Sequence, residues 1–100
     1  MTMVKHIVLW QLCDEAEGRT KWENAKIMKD RLEALNGKID GLVSLEVGIN
    51  ENGDQYDAVL TSVHESMDAL KAYAVHPLHV AVVDFVKAVT CSRIAVDYTL

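Results

Sequence analysis

The run "GLVSLEVGI" (41–49), the turn "NENGD" (50–54) and the run "YDAVLTSV" (56–63) stand in the middle of a chain of 100 residues. In the first run Val43, Leu45, Val47 and Ile49 alternate with Ser44, Glu46 and Gly48, the period of a half-buried strand. The Asn52-Gly53 pair signals a turn, so the two runs predict an antiparallel hairpin. What flanks that hairpin decides the fold.

Towards the N-terminus, Trp22, Ala25, Met28, Leu32 and Leu35 recur at three- and four-residue steps and give one apolar helix face. Thr20 and Glu23 have the spacing of a capping box at its start, and Gly37 stands where a left-handed residue would close it. Ahead of "DEAEGR", a polar loop, "VKHIVLWQL" (4–12) carries two largely apolar rows: Val4, His6, Val8, Trp10, Leu12 and Lys5, Ile7, Leu9, Gln11. A strand apolar on both sides is central and covered on both faces. Towards the C-terminus, Ser66 caps a helix in "SMDALKAYAV", and Pro77 sits where its ring is tolerated, at the first turn of a continuation, "PLHVAVVDFVKAV". "CSRIAVDYTL" (91–100) closes the chain as a β-branched strand.

The predicted order is β-α-β-β-α-β: an α+β, ferredoxin-like, four-stranded antiparallel sheet with both helices on one face, in a single domain over 1–100. The other face receives no helix, and its row is mixed rather than polar. It is expected to meet another sheet or to enclose a partly wet cavity.

The formal net charge of −5 opposes nucleic-acid binding, which needs a cationic stripe. No apolar run approaches a membrane span, and the N-terminal run does not suit a secretory signal. Cys13 and Cys91 are too few for a disulfide scaffold and lack metal-ligand spacing. They end one strand and begin another that the fold places side by side, which allows proximity but leaves it open, and they are expected as reduced thiols of a cytoplasmic protein.

The chemistry-bearing stretch is "YAVHPLHVAVVDF" (73–85), with Tyr73, His76 and His79 around the chain's single proline. Tyr73 and His79 would lie about 240° apart in an unbroken helix and converge only if the chain bends at Pro77. Together they would form an acid–base pair, the imidazole as base and the hydroxyl as donor to a developing oxyanion. The structural alternative makes His76 the end of one helix and His79 a half-buried side chain of the next. His6 is either a core histidine or a cavity group, according to which way its row faces. His64, beside Glu65 at a strand–helix junction, is expected in solvent. His76 and His79 lack a third metal ligand, and no phosphate loop or nucleophile triad is present, so neither metal nor cofactor is expected.

In "VKHIVLWQLCDEA", "IDGLVSLEVGIN", "ESMDALKAYAVHPLHVAVV" and "VDYTL" the chain resembles the Dabb family, the stress-responsive α/β-barrel domain proteins. The resemblance implies ferredoxin-like protomers paired as a homodimer, sheet facing sheet, in a dimeric α/β barrel. Through the plant polyketide cyclases of that family it implies catalytic roles for Tyr73 and His79 and a pocket position for His6. His76, in the same stretch as Tyr73 and His79, is expected as a second ligand contact beside His6. A further pocket histidine of those cyclases is replaced here by Ala58, which departs from the polyketide reaction. Three functions follow as expectations: a homodimer with an apolar small-molecule pocket between sheet and helices, a cofactor-free cyclase- or lyase-type enzyme in that pocket, or a stress-protective assembly without catalysis.

Overall fold

A computed structural model describes residues 2–100. Strand β1 (Val4–Leu12) leads through a small hairpin, β2 (Glu15–Ala16) and β3 (Arg19–Thr20), into helix α1 (Lys21–Glu33). Strands β4 (Leu42–Ile49) and β5 (Ala58–His64), helices α2 (Met67–Val75) and α3 (Pro77–Val89), and strand β6 (Thr90–Thr99) follow. The sheet order is β4-β5-β1-β6 with every neighbouring pair antiparallel. This is the ferredoxin-like arrangement that the flanked hairpin predicts.

One core holds the layers together. The row Val4, Val8, Trp10 and Leu12 of β1 joins Leu45 and Val47 of β4 and Leu60 of β5 in contact with Met28 and Leu32 of α1, Leu70 of α2 and Val86 of α3. Helix α1 starts where expected: the Glu23 N–H donates to Thr20 Oγ1 and the Thr20 N–H to Glu23 Oε1, at 3.3 and 3.0 Å. That helix also protects the outer edge of β4. Asn36 bonds both the N–H and the carbonyl of Leu45, and Val47 donates to Glu33 while accepting from Lys29. An edge strand whose backbone is already paired is a poor template for another chain.

The structure departs from the sequence reading in several places. Trp22, expected on the apolar helix face, is 54% exposed beneath the Lys21 ammonium, because the buried part of α1 begins only at Asn24. Val43 leaves its row because the register slips between Leu42 and Ser44, and Ile49 at the strand's end is exposed as well. "DEAEGR", expected as a plain loop, forms the β2–β3 hairpin, turned by Glu17 and Gly18, both at positive φ. The tight Asn-Gly turn is replaced by a loop over 50–57, held by the side chains of Asn50 and Asn52. Asp57 explains the longer loop: its N–H donates to the Trp10 carbonyl, and its carboxylate accepts from Leu12 N–H and faces Lys21. That anchor holds the chain against β1 before the ladder with β4 can begin. Lastly, Cys13 and Cys91 are not free thiols but a disulfide, their Cα atoms 5.3 Å apart. The β1–β6 adjacency supplies the proximity, and that spacing lies within the bonding range.

The helix-free face of the sheet carries Ile7 and Leu9 of β1 opposite Val96 and Ile94 of β6, with Lys5 opposite Tyr98. Ile94, Val96 and Tyr98 are each about half exposed. Among the described residues no single helix is long and apolar enough to cross a membrane, and α2 and α3 meet at a 66° bend.

Candidate functional site

The bend builds the site. Pro77 forces the residue before it out of the helical region, and His76 is extended at φ −64°, ψ 133°. Its ring is used at once, because the Leu78 N–H donates to His76 Nδ1 at 3.1 Å and the imidazole thereby caps α3. With the helix axis redirected, the Tyr73 and His79 rings come together, centroids 4.1 Å apart and planes tilted by 35°. His79 Nδ1 lies 3.2 Å from the Ala74 carbonyl, so Nδ1–H is the donor and Nε2 keeps a free lone pair. Burial pushes the His79 imidazole below its ordinary pKa, only partly offset by the Ala74 carbonyl, so the ring is neutral near pH 7. Burial alone pushes the Tyr73 phenol well above its usual range and keeps it a proton donor.

Facing these helices, the row of β1 that carries Val8 and Trp10 also carries His6. That row looks toward the helices, and a cavity of ≈ 530 Å³ lies there, bordered by His6, Tyr73 and His79 together with Trp10 and Leu70. His6 therefore lies on the helix side, bonded to a neighbour as a core histidine would be, and it borders a gap in that core rather than a cavity between two sheets. Asp97 of β6 stands opposite His6 in the ladder, and His6 Nδ1 donates to its carboxylate.

His64, expected in solvent, is wholly buried; the last residue of β5 points into the core beneath α2 rather than out of the junction. Its Nε2 is 2.8 Å from Ser62 Oγ, and its ring is 4.8 Å from Tyr73 and 6.3 Å from His6. Burial first, and the neighbouring His6 second, lower its pKa to about 4. The unfolded chain therefore binds a proton at this residue between pH 6.5 and 4 that the folded chain does not, so stability falls as pH falls through that window. The loss is about 3 kcal/mol once pH is below 4. Denaturant titrations between pH 7 and 4 should show the slope, and His64→Leu should flatten it. An equal slope in that variant would assign the acid sensitivity elsewhere.

The structure thus brings together His6, Tyr73 and His79, and leaves His76 outside the cavity lining as a helix cap. Sequence reasoning missed Asp97, Trp10 and His64 as neighbours of the site. The ferredoxin-like order could have supplied Asp97, because it makes β1 and β6 antiparallel neighbours. No group of side chains suited to holding a metal ion occurs among the described residues. A second hollow, of ≈ 620 Å³, lies on the helix-free side near the 50–57 loop, lined by Leu9, Ile49, Tyr56 and Val59 and by no histidine. The histidines and the buried Tyr73 lie on the helix side.

The chain is thus an α+β protein with a ferredoxin-like sheet and a bent helix pair roofing a histidine–tyrosine cavity. The chain belongs to the Dabb family: the model of the stress responsive A/B barrel domain matches residues 4–100. Among solved structures it is similar to a dimeric protein of unknown function with a ferredoxin-like fold from Bacteroides fragilis, at 38% identity and a TM-score of 0.88 over 98% of this chain and 96% of that one. A dimeric ferredoxin-like protein of unknown function from Thermobifida fusca matches at 22% identity and a TM-score of 0.84 over 99% and 92%. At3g17210 from Arabidopsis thaliana matches at 23% identity and a TM-score of 0.78 over 95% and 92%. The last two show a shared fold. No curated protein sequence matches the chain.

Proposed function

We propose that this Dabb-family protein is a homodimer whose helix-side cavity binds an apolar small molecule. The observation that carries the reading is the cavity itself, about the size used for small-molecule sites and walled by apolar side chains with a few convergent polar groups. Pairing through the helix-free face is supported by its half-exposed apolar row and by the dimeric B. fragilis relative. His6 and the Tyr73–His79 pair orient the guest, and His76 acts on it indirectly by fixing the start of α3. A cytoplasmic location remains part of the proposal, and in that compartment the Cys13–Cys91 bond would be exposed to reduction. Uptake of the neutral dye Nile red tests the reading. Ala74→Trp, which puts a large ring where a small side chain borders the cavity, should lower uptake at least tenfold with the thermal melt preserved. Equal uptake by that variant would place the dye elsewhere.

A second reading, catalysis without a cofactor, is favoured by the Tyr73–His79 contact and by the free Nε2 of a neutral His79. In that reading Nε2 removes a proton next to a carbonyl and the Tyr73 hydroxyl donates to the enolate oxygen, the pair of acts that an aldol ring closure requires. The His6–Asp97 pair fixes the opposite wall. Deuterium wash-in at the α-carbon of acetylacetone reports the first act without knowledge of the natural substrate. His79→Ala should slow the protein-dependent wash-in by about 10²-fold or more, the ordinary worth of a placed base. Tyr73→Phe should slow it as well, and wild-type rates in both variants would remove catalysis from the cavity.

A further inference from the structure

We propose that the cavity selects a guest with an apolar body and a carboxylate or equivalent oxyanion at one end, held by Arg93, Lys71 and Lys87 and by the Trp10 indole. This deepens the binding reading above and rests on it. The charged side chains bordering the cavity are Lys71 of α2, Lys87 of α3, and Arg93 and Asp97 of β6. Asp97 is already bonded to His6. Among the described residues none of the three cations takes part in an ion pair. A cationic rim on a chain of net charge −5 runs against the overall balance. A low-dielectric wall concentrates the field of such a rim and raises the local concentration of anions.

An independent feature points the same way. Trp10 Nε1 and the Tyr73 hydroxyl are buried with no hydrogen-bond partner, on side chains 5% and 2% exposed that both border the cavity. An indole N–H can only donate, and a phenol held neutral donates as well, so the site offers donors and wants an acceptor. Buried polar groups left alone are uncommon and call for an explanation. Arg93 stands directly opposite Trp10 in the β1–β6 ladder, so the guanidinium-bearing residue and an orphaned N–H share one end of the cavity. Val8, Leu60, Leu70 and Val83 supply the apolar wall for the body of the guest.

Three probes of one length and three head groups separate the possibilities: octanoate, octan-1-ol and octylammonium, titrated calorimetrically at pH 7 and low salt. Octanoate should bind at least tenfold tighter than octanol, and octylammonium weakest. Arg93→Gln should remove most of the octanoate preference, and the Lys71→Gln, Lys87→Gln pair should reduce its salt dependence. Octanol affinity should stay the same throughout. Equal binding of octanoate and octanol, or an octanoate preference intact in Arg93→Gln, would overturn the anionic end and leave the cavity reading standing. Failure of all three probes to bind would overturn both.

Discussion

A protein carrying Ile94→Lys and Val96→Lys will run as a monomer at micromolar concentration, while the parent runs as a dimer. Both residues lie on the helix-free face, Val96 51% exposed and opposite Ile7, Ile94 opposite Leu9. Neither change disturbs the helix-side core, so the protomer should fold and keep its melt apart from the contribution of assembly. In the proposed dimer those positions meet another sheet, where an ammonium loses its water. The effective penalty for a buried, unpaired ion is several kcal/mol. Each ~1.4 kcal/mol is tenfold in the dissociation constant, so two such charges weaken pairing by more than about 10³-fold. Light scattering or sedimentation reads the outcome. A variant that remains dimeric would move the interface to another surface, the open edge of β6 being next in line.

Reduction of the Cys13–Cys91 bond is expected to cost the protein a large share of its stability. The bond joins residues 78 apart in sequence. Closing a loop of that length removes unfolded-chain entropy worth about 4 kcal/mol in the chain-entropy account. For a chain this size each ~1 kcal/mol moves the melting temperature by roughly 4–8 °C, so the melt should fall by about 20 °C with reductant. The Cys13→Ser, Cys91→Ser double variant should melt with the reduced parent and ignore reductant. Cys91 is exposed, which gives a thiol reductant access. Matching melts with and without reductant, or two free thiols titrated in the native parent, would refute the bond.

The consequence of that bond reaches the site. Cys13 donates its N–H to the Val89 carbonyl and Cys91 follows Thr90, so the link pins the corner where α3 becomes β6. Thr90 and Arg93 on that corner border the cavity.

Most of the architecture was legible because its signals are local. Period-2 and period-3.6 rows, the Thr20–Glu23 box, the Ser66 cap and Pro77 at the head of α3 each act within a few residues and agree with one another. The β2–β3 hairpin and the exposed Trp22 are local misreadings, and the other errors fall where packing or register intervenes. Asp57 binds β1 and lengthens the hairpin loop. A register slip turns Val43 out, and the packing of α2 over the end of β5 buries His64. None of these contacts leaves a trace in the neighbouring sequence.

The sequence by itself determined the order of elements, the face that lacks a helix and the break between Tyr73 and His79, because backbone sterics and hydrophobic periodicity are short-range. Only the tertiary structure decided that the break closes the two rings to 4.1 Å, that Asp97 meets His6 and Cys13 meets Cys91 across β1 and β6, and that Trp10 keeps an unpaired N–H near Arg93. The β1–β6 pairings span most of the chain's length and depend on strand register, and the ring contact depends on the helix angle, quantities that no run of adjacent residues encodes.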